Sequence, residues 1–414
     1  MSAALDWPAA PAGRDRLSLA FGRAAPRTLG DHLTLFGSIP SRLDLLGEVE
    51  AAGLLGRGGA AFPVASKLAA VLTAGGRPVV VANGTEGEPA SGKDRTLLRL
   101  APHLVIDGAA IAARFLGARD AIIAVADTAT DELAALRRAL AERRGADGVQ
   151  LTAVSVPDRF VTGEETALLR ALAGRPAKPT IKPPFPAERG LSGRPTLVQN
   201  VETLAHVALI ARYGSGWFRT IGHADAPGTA LVTLTGAVAR PGIYEVALGT
   251  PLADVVSRAG GATEPVAAYL IGGYFGRWIT AEAATKTALL PELLGAGAIV
   301  AFPEGVCAVD EIARVARYLA GEGAGQCGPC VHGLPAIAGA LEEAARGGGD
   351  ARASIARWAG QVTGRGACRH PDGAARFAVT GMTAFASELE QHARRGSCGR
   401  LRRRILPLPE QHSR

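Results

Sequence analysis

Five cysteines, all after residue 306, carry the sharpest chemical signal in the chain: Cys307, Cys327, Cys330, Cys368 and Cys398. Cys327 and Cys330 enclose Gly328-Pro329 ahead of a small-residue helix, and Cys368 follows in "GRGACRHPDG". Paired thiols at this spacing can hold zinc, an iron–sulfur cluster or a reversible disulfide. Cys-Gly-Pro-Cys is also a thioredoxin-type tetrapeptide, but that fold places it after a strand in a βαβ unit. Here an amphipathic helix, "DEIARVARYLA", precedes it. His332 and His370 each lie two residues beyond a cysteine, so Cys327, Cys330, Cys368 and His370 would also make a Cys₃His zinc set. A straight last helix from about Ala374 to His392 would be about 28 Å long and would carry Cys398 away from these thiols. Cys307, in apolar "VAFPEGVCAV", reads as a small buried side chain. An odd count with no secretion-signal pattern argues for a reduced, cytoplasmic setting and a local ligand set, not a disulfide framework.

Four upstream segments carry polar chemistry. "GLLGRGGAAFPVASKL" (Gly53 to Leu68) places four glycines within seven residues before a helix-compatible stretch, where bare backbone amides can approach a phosphate. It is neither a G-x-G-x-x-G fingerprint nor a P-loop, and a plain turn would use the same glycines. "VVVANGTEGEPASGKDR" follows a strand-like run with Asn83, Glu86, Glu88, Lys93, Asp94 and Arg95. Polar groups at the carboxyl end of a strand are positioned to read a ligand, although a solvated loop has the same composition. "VTGEETALL" contributes Glu164, Glu165 and Thr166, and "KPPFPAERGLSGRPTLVQNVETLAHV" contributes Phe185, Asn200, Glu202 and Thr203. Helix capping alone would account for Glu164, Thr166 and Asn200.

The elements that must position these groups fall into successive patterns. Residues 1–45 read as a loosely packed arm with one helix near Thr28 to Phe36. Strand-like runs alternate with helical stretches over 46–222, which predicts an α/β domain with a mostly parallel sheet. Residues 228–303 form a small α+β module with a Pro-Gly turn. Helical spacing with short loops over 308–396 predicts an antiparallel bundle, and 397–414 is a basic, solvated tail. The net charge of +7 is spread along the chain and aromatics are only 5%, which excludes a concentrated nucleic-acid surface. No run reaches the roughly 18 apolar residues of a membrane helix.

In this order, the four motifs and three domain types resemble the flavin- and NADH-binding subunit of respiratory complex I, a module shared with NAD-linked formate dehydrogenases and hydrogenases. The likeness spans about Leu45 to Glu390. It implies a multidomain fold: an α/β FMN- and NADH-binding domain, a ubiquitin-like SLBB domain and an iron–sulfur helical bundle. It implies that Gly56, Arg57, Gly58, Gly59 and Lys67 cradle FMN and the NADH phosphates, with Phe62 beside the nicotinamide nucleotide. Asn83 and Glu86 would contact FMN, and Glu88 would be the catalytic residue near the nicotinamide. Glu164 would lie by the flavin, Glu165 by NADH, Phe185 on the adenine, and Asn200 and Thr203 at the FMN phosphate. The implied reaction is flavin-dependent NADH oxidation, with single electrons passing to a cluster on Cys327, Cys330 and Cys368. Implied partners are other electron-transfer subunits or a ferredoxin-like acceptor, with peripheral membrane attachment through a partner and no nucleic acid.

The chain departs from the family pattern at six places. Thr85 stands where Asp is usual, Gln199 for Asn, Leu68 for Trp, and Ala61 and Ala90 for Gly. Ala324 stands at the first cysteine of E-S-C-G-x-C-x-x-C. A [4Fe–4S] cluster takes one cysteine per iron, so three thiolates leave one iron to another ligand, with His370, His332 and, if Gly381 bends the last helix, Cys398 as candidates, or give a [3Fe–4S] form. The alternative is a member of the same fold that acts as a zinc- or thiol-containing docking module without catalysis.

Overall fold

A computed structural model describes residues 16–18, 21, 28–39, 44–143, 145, 147–348 and 351–409. The alternating region folds around four parallel strands: β1 (Val79–Gly84), β2 (Asp120–Ala126), β3 (Gln150–Val156) and β4 (Thr196–Asn200), in the order β3-β2-β1-β4. Side chains alternate across a strand, so "VVVANG" must feed both faces. Val80 and Ala82 enter the core under helices Pro102–Leu116 and Val201–Phe218, while Val79 and Val81 join Leu168 and Leu169 of helix Glu165–Leu172. From β1 the chain goes to β2 on one side, yet β4 returns on the other. That reversal opens a crevice at the carboxyl ends of β1 and β4, where Asn83 stands in register with Asn200.

A short hairpin, β5 (Gly222–His223) and β6 (Ala226–Pro227), leads into a mixed five-stranded sheet. Its strands are β7 (Thr229–Gly236), β8 (Gly242–Ala247), β9 (Val266–Ile271), β10 (Arg277–Thr280) and β11 (Ala298–Pro303), in the order β10-β9-β11-β7-β8. Helix Leu252–Arg258 packs on it through Leu252, Val255 and Val256. The tight turn between β9 and β10, Gly272 to Gly276, projects toward the first sheet: Tyr274 N donates to Glu88 at 2.7 Å.

Helices Ala308–Gly321, Leu334–Ala345, Ala351–Val362, His370–Ala384 and Ala386–Arg395 form the bundle. The expected single last helix is broken at Phe385, whose φ of −114° and ψ of 32° leave the helical region. Its side chain is buried against Trp278 and Phe302, so packing holds the break.

The loose packing expected of the arm is corrected, and the tail, solvated at Arg402, Arg403 and Arg404, is pinned just beyond them. In the described part of the arm, Leu17 is fully buried, and the backbone amides of Arg16, Leu17 and Ser18 all donate to Glu245. Helix Leu29–Phe36 opens with a Thr28/Asp31 capping box. In the tail, Leu406 is buried and the Ile405 and Leu406 amides donate to Glu311. The remaining arm positions and residues 410–414 lie outside the described residues. No single described helix is long and apolar enough to cross a membrane.

Candidate functional site

The crevice widens into a cavity of about 970 Å³ whose walls come from all three folded regions. The glycine loop is one wall. Arg57 N donates to Thr203 Oγ1 at 2.9 Å, its Nε to Thr229 O at 3.0 Å and its Nη1 to Leu55 O at 2.9 Å. Its Nη2 is buried without a partner among the described residues. Burial lowers the guanidinium to about 10 although Glu202 opposes the shift. Gly56, Gly58 and Gly59 line the cavity beside it. A Cβ on Gly58 would come 3.1 Å from Asn200 Cβ, and Gly59 has φ of 105°, so both positions favour glycine.

Asn200 caps helix Val201–Phe218 by accepting from Glu202 N at 3.0 Å and Thr203 N at 3.4 Å, and its amide donates to Asp94 at 2.6 Å. Lys93 bridges Asp94 (2.7 Å) and Glu202 (2.8 Å) in a nearly sealed triad. Burial alone would lower the Lys93 ammonium, but the two carboxylates raise it above its ordinary value. Burial likewise opposes ionisation of Glu202, yet Lys93, His206 and Arg57 bring it down to about 2.

The acidic motif divides its labour in a way its spacing does not reveal. Asn83 donates to Gly163 O at 3.0 Å and accepts from the Thr85 hydroxyl at 2.8 Å. Glu86 lines the cavity, but its oxygens accept from Ser91 Oγ, Asp94 N and Arg95 N at 2.7 to 2.9 Å, which starts helix Lys93–Leu100. Glu88 accepts from Ala90 N at 3.0 Å and Tyr274 N at 2.7 Å. Burial raises it to about 7 despite those bonds. Gly273, at φ 74°, makes this possible: a Cβ there would lie 2.5 Å from Glu88 Cδ.

Glu164 and Glu165 share Lys182, at 2.9 and 2.7 Å, and Lys67 reaches Glu165 at 3.1 Å. Burial favours neutral Glu165, but the two lysines hold it below its usual range. Glu164 also caps helix Glu165–Leu172 through Thr166 N and Ala167 N. Lys182 was missed as a site residue; the lysine opening "KPPFP" was its only signal. Phe62 and Phe185 keep 49% and 52% of their surface exposed on the cavity wall, which leaves ring faces free for stacking.

Cys330 lies on a single π turn, Pro329–Gly333, and hydrogen-bonds with the Cys327 thiol, with Cys368 close enough to interact electrostatically. Burial first, then Cys327, pushes Cys330 up to about 12. Burial also raises Cys368, against the His370 amide that donates to it. Cys368 stands on the cavity wall; Cys327 is half-exposed. Among the described residues, these thiols and His370 do not form a set with all donor atoms within 4.8 Å. A single tetrahedral zinc holds its sulfurs about 3.8 Å apart, so the expected Cys₃His alternative is disfavoured. His370 directs Nε2 to Leu319 O at 2.8 Å, and His332 is exposed. Cys398 is elsewhere, grouped with Cys307, which is buried but not solitary.

Residues 49–209 match the family model of the Nuo51 FMN-binding domain, 231–273 the SLBB domain, and 310–392 the NADH-ubiquinone oxidoreductase-F iron-sulfur binding region. The chain is 32% identical over 374 residues to the second F-type NADH-quinone oxidoreductase subunit of Rhizobium meliloti (strain 1021), covering 84% of this chain and 89% of that protein. It belongs to the F-type subunit family of NADH-quinone oxidoreductase. The F-type subunit of Streptomyces coelicolor is 33% identical over 377 residues, 86% of this chain and 84% of that one. The crystal structure of an NAD+-reducing [NiFe]-hydrogenase in the H2-reduced state superposes with TM-score 0.77 at 32% identity. That match covers 85% of this chain but 62% of the hydrogenase chain.

The residues present fit an FMN-sized group. Arg57 Nη2 and Gln199 Nε2 are buried, unpartnered donors at the cavity, the glycine loop leaves room no side chain could share, and the wall carries aromatic faces. Two departures from the family pattern have local consequences. The Thr85 hydroxyl is spent on Asn83. Ala61 sits at φ 48°, a left-handed conformation that suits the usual glycine.

Proposed function

We propose that this chain is the NADH-oxidising, FMN-dependent electron-transfer subunit of a larger assembly. It would take a hydride equivalent from NADH and deliver single electrons through an iron–sulfur cluster on Cys327, Cys330 and Cys368. The observation that carries this reading is that four motifs far apart in sequence, together with Cys368, line one cavity. FMN, when bound, supplies the conversion of a two-electron donor into one-electron steps; the protein supplies position and charge.

The Gly56–Gly59 loop, Arg57 Nη2 and the amino end of helix Val201–Phe218 form the anion-binding wall, suited to phosphate. Phe185 and Phe62 offer the stacking faces for the nucleotide. Lys67 and Lys182 neutralise Glu164 and Glu165 and hold both at the mouth. Glu88 and Asp94, both raised by burial to about 7, are acids here poised to hold or release a proton near neutrality; Asp94 is tied to Lys93 and Asn200, whereas Glu88 has only backbone donors. Asn83 and Glu86 act by shaping the floor, since their polar atoms are bonded within the protein. Cys327 is half-exposed, which supports electrons leaving on this side for another electron-transfer subunit.

A second reading, a docking module without catalysis, rests on Ala324 at the first ligand position. The two separate in one assay. Protein purified without oxygen and reconstituted with FMN, iron and sulfide is expected to reduce an artificial one-electron dye with NADH. Absence of both flavin binding and NADH-dependent dye reduction would sink the catalytic reading.

A further inference from the structure

Helix Ala308–Gly321 separates two thiol sites. Its 14 residues span about 21 Å; Cys327 and Cys330 follow its carboxyl end, and Cys307 caps its amino end. Around Cys307 lie Glu388, His392 and Cys398, each offering one ligand atom, and these atoms all fall within 4.8 Å of one another.

The sequence builds this meeting in three steps. Glu388 and His392 are four residues apart on helix Ala386–Arg395 and so share a face. Gly396, at φ 75°, ends that helix and turns the chain toward Cys398. The tail then pairs with the stretch before the first helix: Cys307 N donates to Leu401 O at 2.9 Å, and Leu401 N to Gly305 O at 3.0 Å.

We propose that Cys307, His392, Cys398 and Glu388 form a structural zinc site. Cys307 Sγ lies 3.3 Å from His392 Nε2. Ordinary zinc–sulfur and zinc–nitrogen bonds in a tetrahedron put those atoms about 3.6 Å apart, so little movement admits the ion. Glu388 is fully buried, and Cys307 and His392 are each 1% exposed. His392 Nε2 has only the Cys307 sulfur as a side-chain partner among the described residues, so no strong hydrogen bond competes with an ion for that nitrogen. Two thiolates and an imidazole select a borderline-soft ion over magnesium or calcium.

Charge and hydrogen bonding agree. Two thiolates and one carboxylate carry three negative charges, which Zn²⁺ and the Arg400 guanidinium paired with Glu388 balance. Asp310 N donates to Cys307 Sγ at 3.4 Å, and Val309 N donates to Glu388 at 3.2 Å. Four protein ligands leave no open position, so the site is a clamp. It fastens the last helix and the returning tail to the helix whose far end leads to the cluster thiols.

The test is elemental analysis of full-length protein purified without oxygen from zinc-supplemented cells. One zinc per chain is expected. The Cys307→Ala/Cys398→Ala double variant should lose at least nine-tenths of it while keeping iron and flavin, and Cys330→Ser should keep zinc while losing iron. Should the double variant fail to fold, cobalt loaded into Cys330→Ser protein decides: intense tetrahedral bands with thiolate-to-cobalt charge transfer support the site, and their absence overturns it. Zinc absent from wild type, zinc retained by a folded double variant, iron lost with that variant, or a Cys307–Cys398 disulfide in the intact mass would each overturn the proposal.

Discussion

The two ends of helix Ala308–Gly321 use the same residue type to opposite ends. At one, Cys327, Cys330 and Cys368 gather around a half-open space beside the large cavity, with three sulfurs and no mutually close donor set among the described residues. At the other, two cysteines, a histidine and a glutamate close on a point. A looser set, with Cys330 buried but Cys327 and Cys368 partly exposed, suits a cluster that must hand electrons on; tight spacing, mixed donors and burial suit a single ion that does nothing but hold. The contrast extends to two buried glutamates. Glu388 is paired with Arg400, whereas Glu88 has only backbone donors and no cation among the described residues. The cavity side also holds Ala61 at φ 48° and the unpartnered Arg57 Nη2. These two local costs lie where a ligand is to be bound.

The largest expected effect comes from Cys330→Ser. It should remove nearly all cluster iron and electron delivery to one-electron acceptors, while flavin and zinc contents remain; iron and zinc assays on the same sample check this. Loss of both metals together would erase the distinction between the two ends.

Glu88 gives the next effect. Its carboxyl rises from an ordinary 4.5 to about 7 on folding, so its contribution to stability is fully present below pH 4.5 and is lost as pH rises through 7. The loss is about 3 kcal/mol at 1.36 kcal/mol per pH unit. Denaturant unfolding of flavin-free protein between pH 4.5 and 8 should show a falling stability to which Asp94, also raised to about 7 by burial, adds, and Glu88→Gln should make that slope shallower whatever its absolute stability. An unchanged slope in the variant would assign the titration to another group. The smallest effect is that of Ala61→Gly, expected to stabilise the loop by about 1 kcal/mol through relief of the left-handed alanine. Unfolding midpoints with unchanged m-values would measure it.

Much of this was legible in sequence because the relevant signals are local. Glycines within seven residues, acids after a strand-like run and a helix-opening Cys-x-x-Cys announce themselves by composition and spacing, and the upstream residues expected to touch cofactor all line the cavity. What spacing could not reveal was partnership. Glu86 and Glu164 look like ligand-facing acids but spend oxygens on helix amides, and Lys182 enters only because the fold brings it to Glu164 and Glu165. Cys307 and His392 are 85 residues apart, and nothing local to either predicts their contact. The break at Phe385 depends on aromatic packing against Trp278 and Phe302, which periodicity does not encode.

The measurement that bears most directly on the account is an anaerobic titration of the FMN- and iron–sulfur-reconstituted protein with NADH, followed by flavin absorbance. The account predicts that flavin co-purifies through gel filtration with the chain and that stoichiometric NADH bleaches it, in wild type and Cys330→Ser alike. Flavin that fails to bind, or that binds and stays oxidised with excess NADH, would contradict it.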